Sequence, residues 1–328
     1  METVLKIFSS LVAPLLVLSA LASHPSRAEE VFPTRPIHVI NPYAAGGIVD
    51  NISRLLTNKL SKQMGVPFVV EPKPGGGSSI GTEYVARAPA DGYTWLIATT
   101  SNAANMALMP AIRTDLKKDF VPVAQFAVSP NYLVVPASSP ISSVDEYVKL
   151  AKSKPDELSY GHAGVGSTPH LGFELFKHVA GIRVVAVPYK GAPPIIPDLL
   201  SGQLSAAYMP SSLAISLAKS KKIKVLAVVG ETRTQEFPSV PTMGEAGYPK
   251  AVVTPWYAIL VPTGTPLVVV KRIETEIRLA LESPEVSTGI AFAGAMPRFR
   301  NGIDTERMID AEIESWRTLV KAAGLNME

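Results

Sequence analysis

Pro42-Tyr43-Ala44-Ala45-Gly46-Gly47-Ile48-Val49-Asp50 is the stretch from which the fold can be read. Before it, residues 37–40 form a short apolar alternation that reads as a strand. After it, Ile48, Ile52, Leu55, Leu56 and Leu60 recur at helical spacing, and Gly65 is placed to end the helix. The unit is strand, small-residue loop, helix start. Such a loop leaves backbone N–H groups unpaired at the helix N-terminus, where the helix dipole adds partial positive charge. Gly46 and Gly47 allow a ligand's oxygens to come close. A plain strand-to-helix turn has the same outline, so the anion-cradle reading depends on the device recurring.

It recurs in the second half. Leu158-Ser159-Tyr160-Gly161 runs into the loop His162-Ala163-Gly164-Val165-Gly166-Ser167-Thr168. The next helix opens with Pro169, a favoured first position, carries Leu171, Leu175, Phe176 and Val179 on one face, and stops at Gly181.

Around these two units, strands are expected at 68–70, 93–98, 133–135, 184–187, 206–208 and 225–229. Helices are expected after the glycine-rich 74–79, at 144–151 behind a Ser142 or Ser143 cap, and at 269–281, 284–293 and 305–323. Thr99-Thr100-Ser101-Asn102 reads as a polar loop and Asp91-Gly92 as a turn. Strand–helix alternation of this kind argues for parallel sheets covered by helices. In open α/β sheets ligands bind outside the carboxyl ends of the strands. Two lobes that each offer a helix N-terminus there make a cleft suited to an anion.

Composition narrows the classes of function. At 328 residues the chain is long enough for two domains with real cores, and 47% hydrophobic against 18% charged residues marks it as globular. A formal charge of +3 with no basic stripe argues against nucleic acid or a membrane surface as partner. The absence of cysteine excludes disulfides, thiolate catalysis, a cysteine zinc site and a lipid-modified amino terminus. Residues 7–22 are nearly all apolar, and Ser26-Arg27-Ala28 offers small residues at a cleavage site, so 1–28 reads as an export signal. A retained anchor is the alternative, but Pro14 interrupts the run and it falls short of the ~20 residues a span needs.

Catalytic and cofactor motifs fare poorly. Gly75-Gly76-Gly77 lacks the Gly-Lys-Ser/Thr of a P-loop, and Gly164-Val165-Gly166 is too short for a dinucleotide fingerprint. Ser167, His162 and Asp50 can be drawn as a hydrolase triad, but no G-x-S-x-G elbow exists. The histidines show no metal-binding spacing. No metal and no cofactor are expected. Trp256-Tyr257 between prolines reads as packing before ligand stacking, and Lys190 as either an anion partner or a solvated cation.

The motifs together resemble one family. Pro42 to Asp50 is similar to the P-x-x-x-G-G-x-x-D loop of the Bug/TctC substrate-binding proteins of tripartite tricarboxylate transporters. Pro74-Gly75-Gly76-Gly77-Ser78-Ser79-Ile80-Gly81, Asp91-Gly92-Tyr93-Thr94, Gly166-Ser167-Thr168-Pro169-His170-Leu171 and Val187-Pro188-Tyr189-Lys190-Gly191 continue the match. Pro238 to Thr242, Glu245-Ala246-Gly247 and Pro262-Thr263-Gly264-Thr265-Pro266 complete it. Order and spacing span essentially the whole chain after the leader.

The resemblance implies a two-lobed, type II-like periplasmic-binding-protein fold of the α/β class, with a ligand cleft between the lobes. Lobe one would comprise 29–128 and 256–328, and lobe two 129–255. It implies a monomeric, non-enzymatic, periplasmic receptor for a small organic carboxylate (dicarboxylate, tricarboxylate or aromatic acid). Its partners would be the membrane subunits of a tripartite tricarboxylate transporter, or alternatively a membrane signalling protein. An enzyme on the same scaffold is a further alternative. The site implied draws on Tyr43, Ala45, Gly46, Gly47 and Asp50, then Thr99 and Ser101, from lobe one. From lobe two it draws on Gly164, Gly166, Ser167, Thr168 and His170, with Tyr189 and Met209. Where many members carry an acidic residue after a lobe-two strand, this chain has Met209, which cannot pair with an amino group. That tilts the ligand away from amino acids.

Export is directly checkable. Amino-terminal sequencing of the secreted product is expected to begin near Glu29, and an intact Met1 terminus in the membrane fraction would contradict it.

Overall fold

A computed structural model describes residues 32–109, 112–164, 167–189 and 191–323. The leader, Gly166 and Lys190 lie outside the described residues. The chain runs β1 (Ile37–Asn41), α1 (Ile48–Met64), β2 (Phe68–Pro72), a 3-10 turn at Gly76–Ser78, α2 (Ser79–Ala86), β3 (Thr94–Thr99), α3 (Thr100–Leu108), α4 (Leu116–Asp119) and β4 (Phe120–Val128). It continues with β5 (Asn131–Pro136), α5 (Val144–Ser153), β6 (Ser159–His162), α6 (Thr168–Ala180), β7 (Val185–Pro188), α7 (Ile195–Ser201), β8 (Ala206–Pro210), α8 (Ser211–Lys219) and β9 (Ile223–Val229). A 3-10 turn at Pro249–Ala251 precedes β10 (Trp256–Pro262), α9 (Leu267–Glu282), α10 (Pro284–Phe292), β11 (Met296–Asn301) and α11 (Gly302–Ala323).

Among the described residues these strands form two sheets, ordered β11-β4-β10-β3-β1-β2 and β7-β6-β8-β5-β9. The sheets share a plan. β1 is parallel to β2 and β3, as β6 is to β7 and β8. In each sheet one antiparallel strand then intervenes: β10 lies between β3 and β4, and β5 between β8 and β9. Both are delivered by chain that crosses from one sheet to the other, through residues 129–130 and through 230–255. The purely parallel sheets expected from strand–helix alternation are therefore corrected to mixed ones. A crossing strand enters from the opposite end, so it must run antiparallel.

Local sequence accounts for the elements that position the cleft. α1 buries Val49, Ile52, Leu56, Leu60 and Met64 at helical spacing, and Gly65, at φ +72°, closes it with its N–H on the Ser61 carbonyl. β10 is buried along its whole length, as a central strand should be. Trp256 and Tyr257 are core residues, as their packing reading held. β11 (Met-Pro-Arg-Phe-Arg-Asn) carries no apolar alternation and was not expected from sequence. It is an edge strand held by backbone pairing to β4, with half-exposed side chains and Pro297 where no central strand would tolerate it. Thr99 to Asn102 is the start of α3 rather than a loop. Thr99 and Asn102 form a capping box, with Asn taking the place usually held by Glu or Gln.

One half-buried acid ties the return strand to the last helix. Glu312 on α11 accepts hydrogen bonds from the indole N–H groups of Trp256 and, at 3.2 Å, Trp316. Burial outweighs both donors and pushes its carboxyl up to about 7. The folded chain therefore holds a proton here that the unfolded chain releases at lower pH. Stability from this group is fully present below the ordinary glutamate range and is lost as pH rises through 7. Urea unfolding of Glu312→Gln is expected to shift in the variant's favour relative to wild type between pH 4.5 and 8, by roughly 3 kcal/mol. Parallel profiles for the two proteins would show that Glu312 does not titrate in this way.

Candidate functional site

The carboxyl ends of β1 and β3 bring the lobe-one residues together. Asn41, the last residue of β1, accepts the Tyr43 N–H through its Oδ1 at 3.0 Å and so turns the chain. Asp50, in the first turn of α1, accepts the Gly46 N–H at 3.1 Å and Arg54 Nε at 3.0 Å, with Asn41 Nδ2 at 3.5 Å. Desolvation raises its carboxyl, but Arg54, Gly46 and Asn41 outweigh it and hold the group below the usual carboxylate range. Buried to 4% exposure and engaged on both oxygens, Asp50 staples the loop rather than facing a ligand. Gly46, at φ +83°, is required by this turn, and its N–H is already in use.

Ala45, Gly46 and Gly47 are exposed. Gly47 is the N-cap of α1 and supplies no side-chain cap, so the first amides of the helix have no intrahelical acceptor. Beside them the Tyr43 hydroxyl meets Thr99 Oγ1 at 2.5 Å. Burial raises the Tyr43 phenol, opposed by the neighbouring hydroxyls of Ser101, Thr99 and Ser78. Ser78 holds φ +86°, unusual for a non-glycine, at the end of the Gly75-Gly76-Gly77 run. Tyr257, the second residue of β10, has its phenol raised by burial, with Ser129 hydrogen-bonding it and Tyr43 close enough to add to the shift. Ser78 was not singled out from sequence, and Tyr257 was read there as packing. Ser78 lay in a motif already quoted, whereas Tyr257 reaches the site only through the strand exchange.

The lobe-two residues gather at the end of β6. The Gly164 carbonyl accepts from His162 Nδ1 at 2.9 Å and from the Ser167 N–H at 3.1 Å. Because a carbonyl only accepts, His162 carries its proton on Nδ1. Ser167 is the N-cap of α6, and its Oγ accepts the His170 N–H at 3.4 Å. That bond uses an oxygen lone pair and leaves the hydroxyl proton available, as are the Thr168 hydroxyl and amide. Gly166 lies outside the described residues. The rings of His162 and His170 stand 4.2 Å apart. Burial and its partner push His170 down to about 4, with Glu174 opposing and Lys177 assisting. His162 is lowered as well, mainly by burial.

Two further residues expected at the site are held within lobe two. Met209 is 1% exposed and packs among Tyr132, Ile195, Leu199 and Val228, so its side chain lies in the lobe-two core and says nothing about the ligand. Tyr189 donates its hydroxyl to Asp198, which, together with burial, raises it to about 12; its proton is committed within the lobe. The hydrolase triad also fails. Ser167 is a cap, and Asp50 is held by Arg54 in the other lobe. Among the described residues no hydrogen bond joins the lobe-one set to the lobe-two set, and no group of His, Cys, Asp and Glu has the arrangement of a metal site.

With this geometry in hand, comparison with known proteins identifies the class. The model of the tripartite tricarboxylate transporter family receptor, TctC, matches residues 52–325, and the chain belongs to that family. Protein BugT of Bordetella pertussis is 34% identical over 91% of this chain and 92% of its own length. Among solved structures, Rpa4515 of R. palustris with adipate is 35% identical, with a TM-score of 0.73 over 89% of this chain and 98% of its own. MatC of Rhodopseudomonas palustris with bound malate is 29% identical, with a TM-score of 0.71 over 88% of this chain and all of its own. The two sheets are thus the two lobes of a periplasmic solute-binding protein fold. Among the described residues no helix is long and apolar enough to cross a membrane.

The depressed histidine gives a pH signature. Between pH 6.5 and 4 the unfolded imidazole takes a proton that folded His170 resists, so this residue makes the fold less stable as pH falls. His170→Gln removes that contribution. The stability of wild type relative to the variant is expected to decline on acidification from pH 7 to 4.5, followed by urea unfolding. A constant difference would contradict the burial of a neutral imidazole.

Proposed function

We propose that this chain is the exported, periplasmic receptor of a tripartite tricarboxylate-type transporter. It captures a small organic acid in the cleft between lobe one (29–128 and 256–328) and lobe two (129–255). One carboxylate is held between Ala45-Gly46-Gly47 and Gly166-Ser167-Thr168. The observation that carries this reading is the paired geometry of the two loops. Each follows the carboxyl end of a parallel strand, each opens a helix, and each leaves small residues at the helix start. Relatives of this fold hold adipate and malate, which supports a carboxylate as the ligand class.

The chemistry suits an anion without any cation in contact. Hydrogen bonds from amides and hydroxyls to a carboxylate are charge-assisted and about twice as strong as neutral ones. Arg54 is occupied by Asp50, so lobe one offers dipoles and hydroxyls instead. Neither loop surrounds the anion alone. Binding energy is therefore complete only when the lobes approach, and differential affinity for that state drives closure. The closed, loaded form is then what the membrane subunits would recognise. The reading does not require catalysis.

A thermal-shift panel of adipate, malate, citrate and benzoate, with adipamide as the uncharged control, tests the ligand class. An acid at a hundred times its Kd is expected to stabilise the fold by about 2.7 kcal/mol, and the diamide not at all. Calorimetry on two variants then tests the site. Ser167→Ala is expected to weaken the responsive acid by about 1.5–3 kcal/mol. Gly47→Leu is expected to abolish binding with the fold intact. Gly47 has φ −76°, and an added Cβ would meet only the Ala44 carbonyl at 3.7 Å, whereas Gly46 at φ +83° would strain any side chain. Unchanged affinity in both variants would place the carboxylate elsewhere.

A further inference from the structure

Asn131 opens β5 at the point where the chain has just crossed into lobe two. In the sheet it pairs with Pro210, at the carboxyl end of β8, and with Val229, at the end of β9. It therefore stands at the end of the sheet from which the His162–Thr168 loop rises. Side chains alternate along β5: Tyr132 and Val134 enter one core cluster, while Leu133 and Val135 enter the other, together with Phe173 and Phe176 of α6. Asn131 shares the face of Leu133 and Val135. On β6, Tyr160 belongs to that same cluster, so His162 shares the face as well. The two polar side chains lie two strands apart and two residues along, about 12 Å by ordinary strand spacing, at the carboxyl end of the parallel strands.

Asn131 is 3% exposed, and its Nδ2 is fully buried with no hydrogen-bond partner among the described residues. Leaving such a donor unsatisfied costs stability, so a persistent case calls for a reason. The other side chains with buried unpartnered atoms sit elsewhere: Gln125 within β4, Tyr208 within the lobe-two core, and Gln63 on α1. Asn131 alone of these, among the described residues, stands at a strand end beside the crossing, level with the carboxyl end of β8.

We propose that the Asn131 amide is a specificity-determining group of this cleft, donating to the second carboxylate of a bound dicarboxylate while the first is held at the helix starts. This rests on the reading of the cleft as a carboxylate site and deepens it from acids in general to dicarboxylates. The unpartnered donor is left in the ligand-free chain because its acceptor arrives with the ligand. An amide donates without carrying charge, so it recognises an oxygen acceptor and cannot attract an anion from a distance. It therefore discriminates between a dicarboxylate and the monoacid of the same length and contributes little to general anion affinity.

The test compares adipate with hexanoate, by calorimetry, on wild type, Asn131→Leu, Asn131→Ala and Ser167→Ala, with ligand-free melting curves for each. Asn131→Leu keeps the side chain's approximate shape and removes the orphan donor. Its ligand-free Tm is expected to equal or exceed that of wild type, its adipate affinity to fall at least tenfold, and its hexanoate affinity to stay put. Asn131→Ala reports the same loss of preference should the leucine fail to pack. A Tm several degrees lower with both acids bound as in wild type would make Asn131 structural and overturn the proposal. So would a wild type that binds hexanoate as tightly as adipate. Loss of adipate binding in Ser167→Ala without loss in either Asn131 variant overturns this proposal and leaves the carboxylate site standing. Full affinity in all three variants overturns both.

Discussion

The backbone pairing of β10 with β3 on one side and β4 on the other is the constraint on which the rest of the structure depends. Lobe one is incomplete until the chain has visited lobe two and returned, because its central strand is the returning one. β5 does the same for the second sheet, wedged between β8 and β9. Both inserted strands are fully buried, and buried amides and carbonyls must be paired. The exchange therefore fixes where the chain crosses, and the crossings fix the floor of the cleft. Thr100, at the start of α3, reinforces this: its Oγ1 accepts the Trp256 N–H at 3.2 Å and so joins the end of β3 to the return. α11 adds a second tie, since Ile313, Trp316 and Leu319 share a core cluster with Leu171 and Leu175 of α6.

Once the sheets are closed in this way, the proposed site falls at the carboxyl ends of β1 and β6. What is notable there is how much is already satisfied internally. Asp50 occupies the Gly46 amide, Ser167 Oγ takes the His170 amide, Thr99 takes Ser101, and Tyr189 is committed to Asp198. The donors that remain are the uncapped amides of α1, the hydroxyl protons near Thr99 and Ser167, and the Thr168 amide. A set of neutral, fixed donors binds an anion with little reorganisation, since the dipoles are held by the fold before the ligand arrives. The neutral pair His162 and His170 keeps positive charge out of the same place near pH 7.

Much of this was legible in the sequence, for reasons that can be named. The Pro42–Asp50 and His162–His170 units announce themselves because glycine, serine and a helix-starting proline are required locally, whatever the rest of the chain does. The helices of the tail follow from apolar spacing alone. What escaped was everything that depends on pairing across the chain. β11 has no apolar pattern because its place is secured by backbone bonds to β4. The antiparallel insertions cannot be read from strand–helix alternation, since direction is set by the crossing. Asp50 and Met209 sit next to functional loops in sequence, yet a carboxylate within reach of Arg54 and an apolar side chain on the inner face of β8 both turn inward. Adjacency in sequence was a poor guide to which way a side chain faces. Asn131 went unnoticed because a lone polar residue at a strand boundary is ordinary until its amide is seen to lack a partner.

The most direct measurement is a crystal structure of the chain grown with the acid that shifts its melting point most. The account places one carboxylate between the helix starts, with oxygens at about 2.7–3.1 Å from the Ser167 hydroxyl and the Thr168 amide on one side and the first amides of α1 on the other. A ligand found with its carboxylate against a lysine or arginine outside these loops, or in a cleft whose two helix starts hold no ligand oxygen, would contradict it.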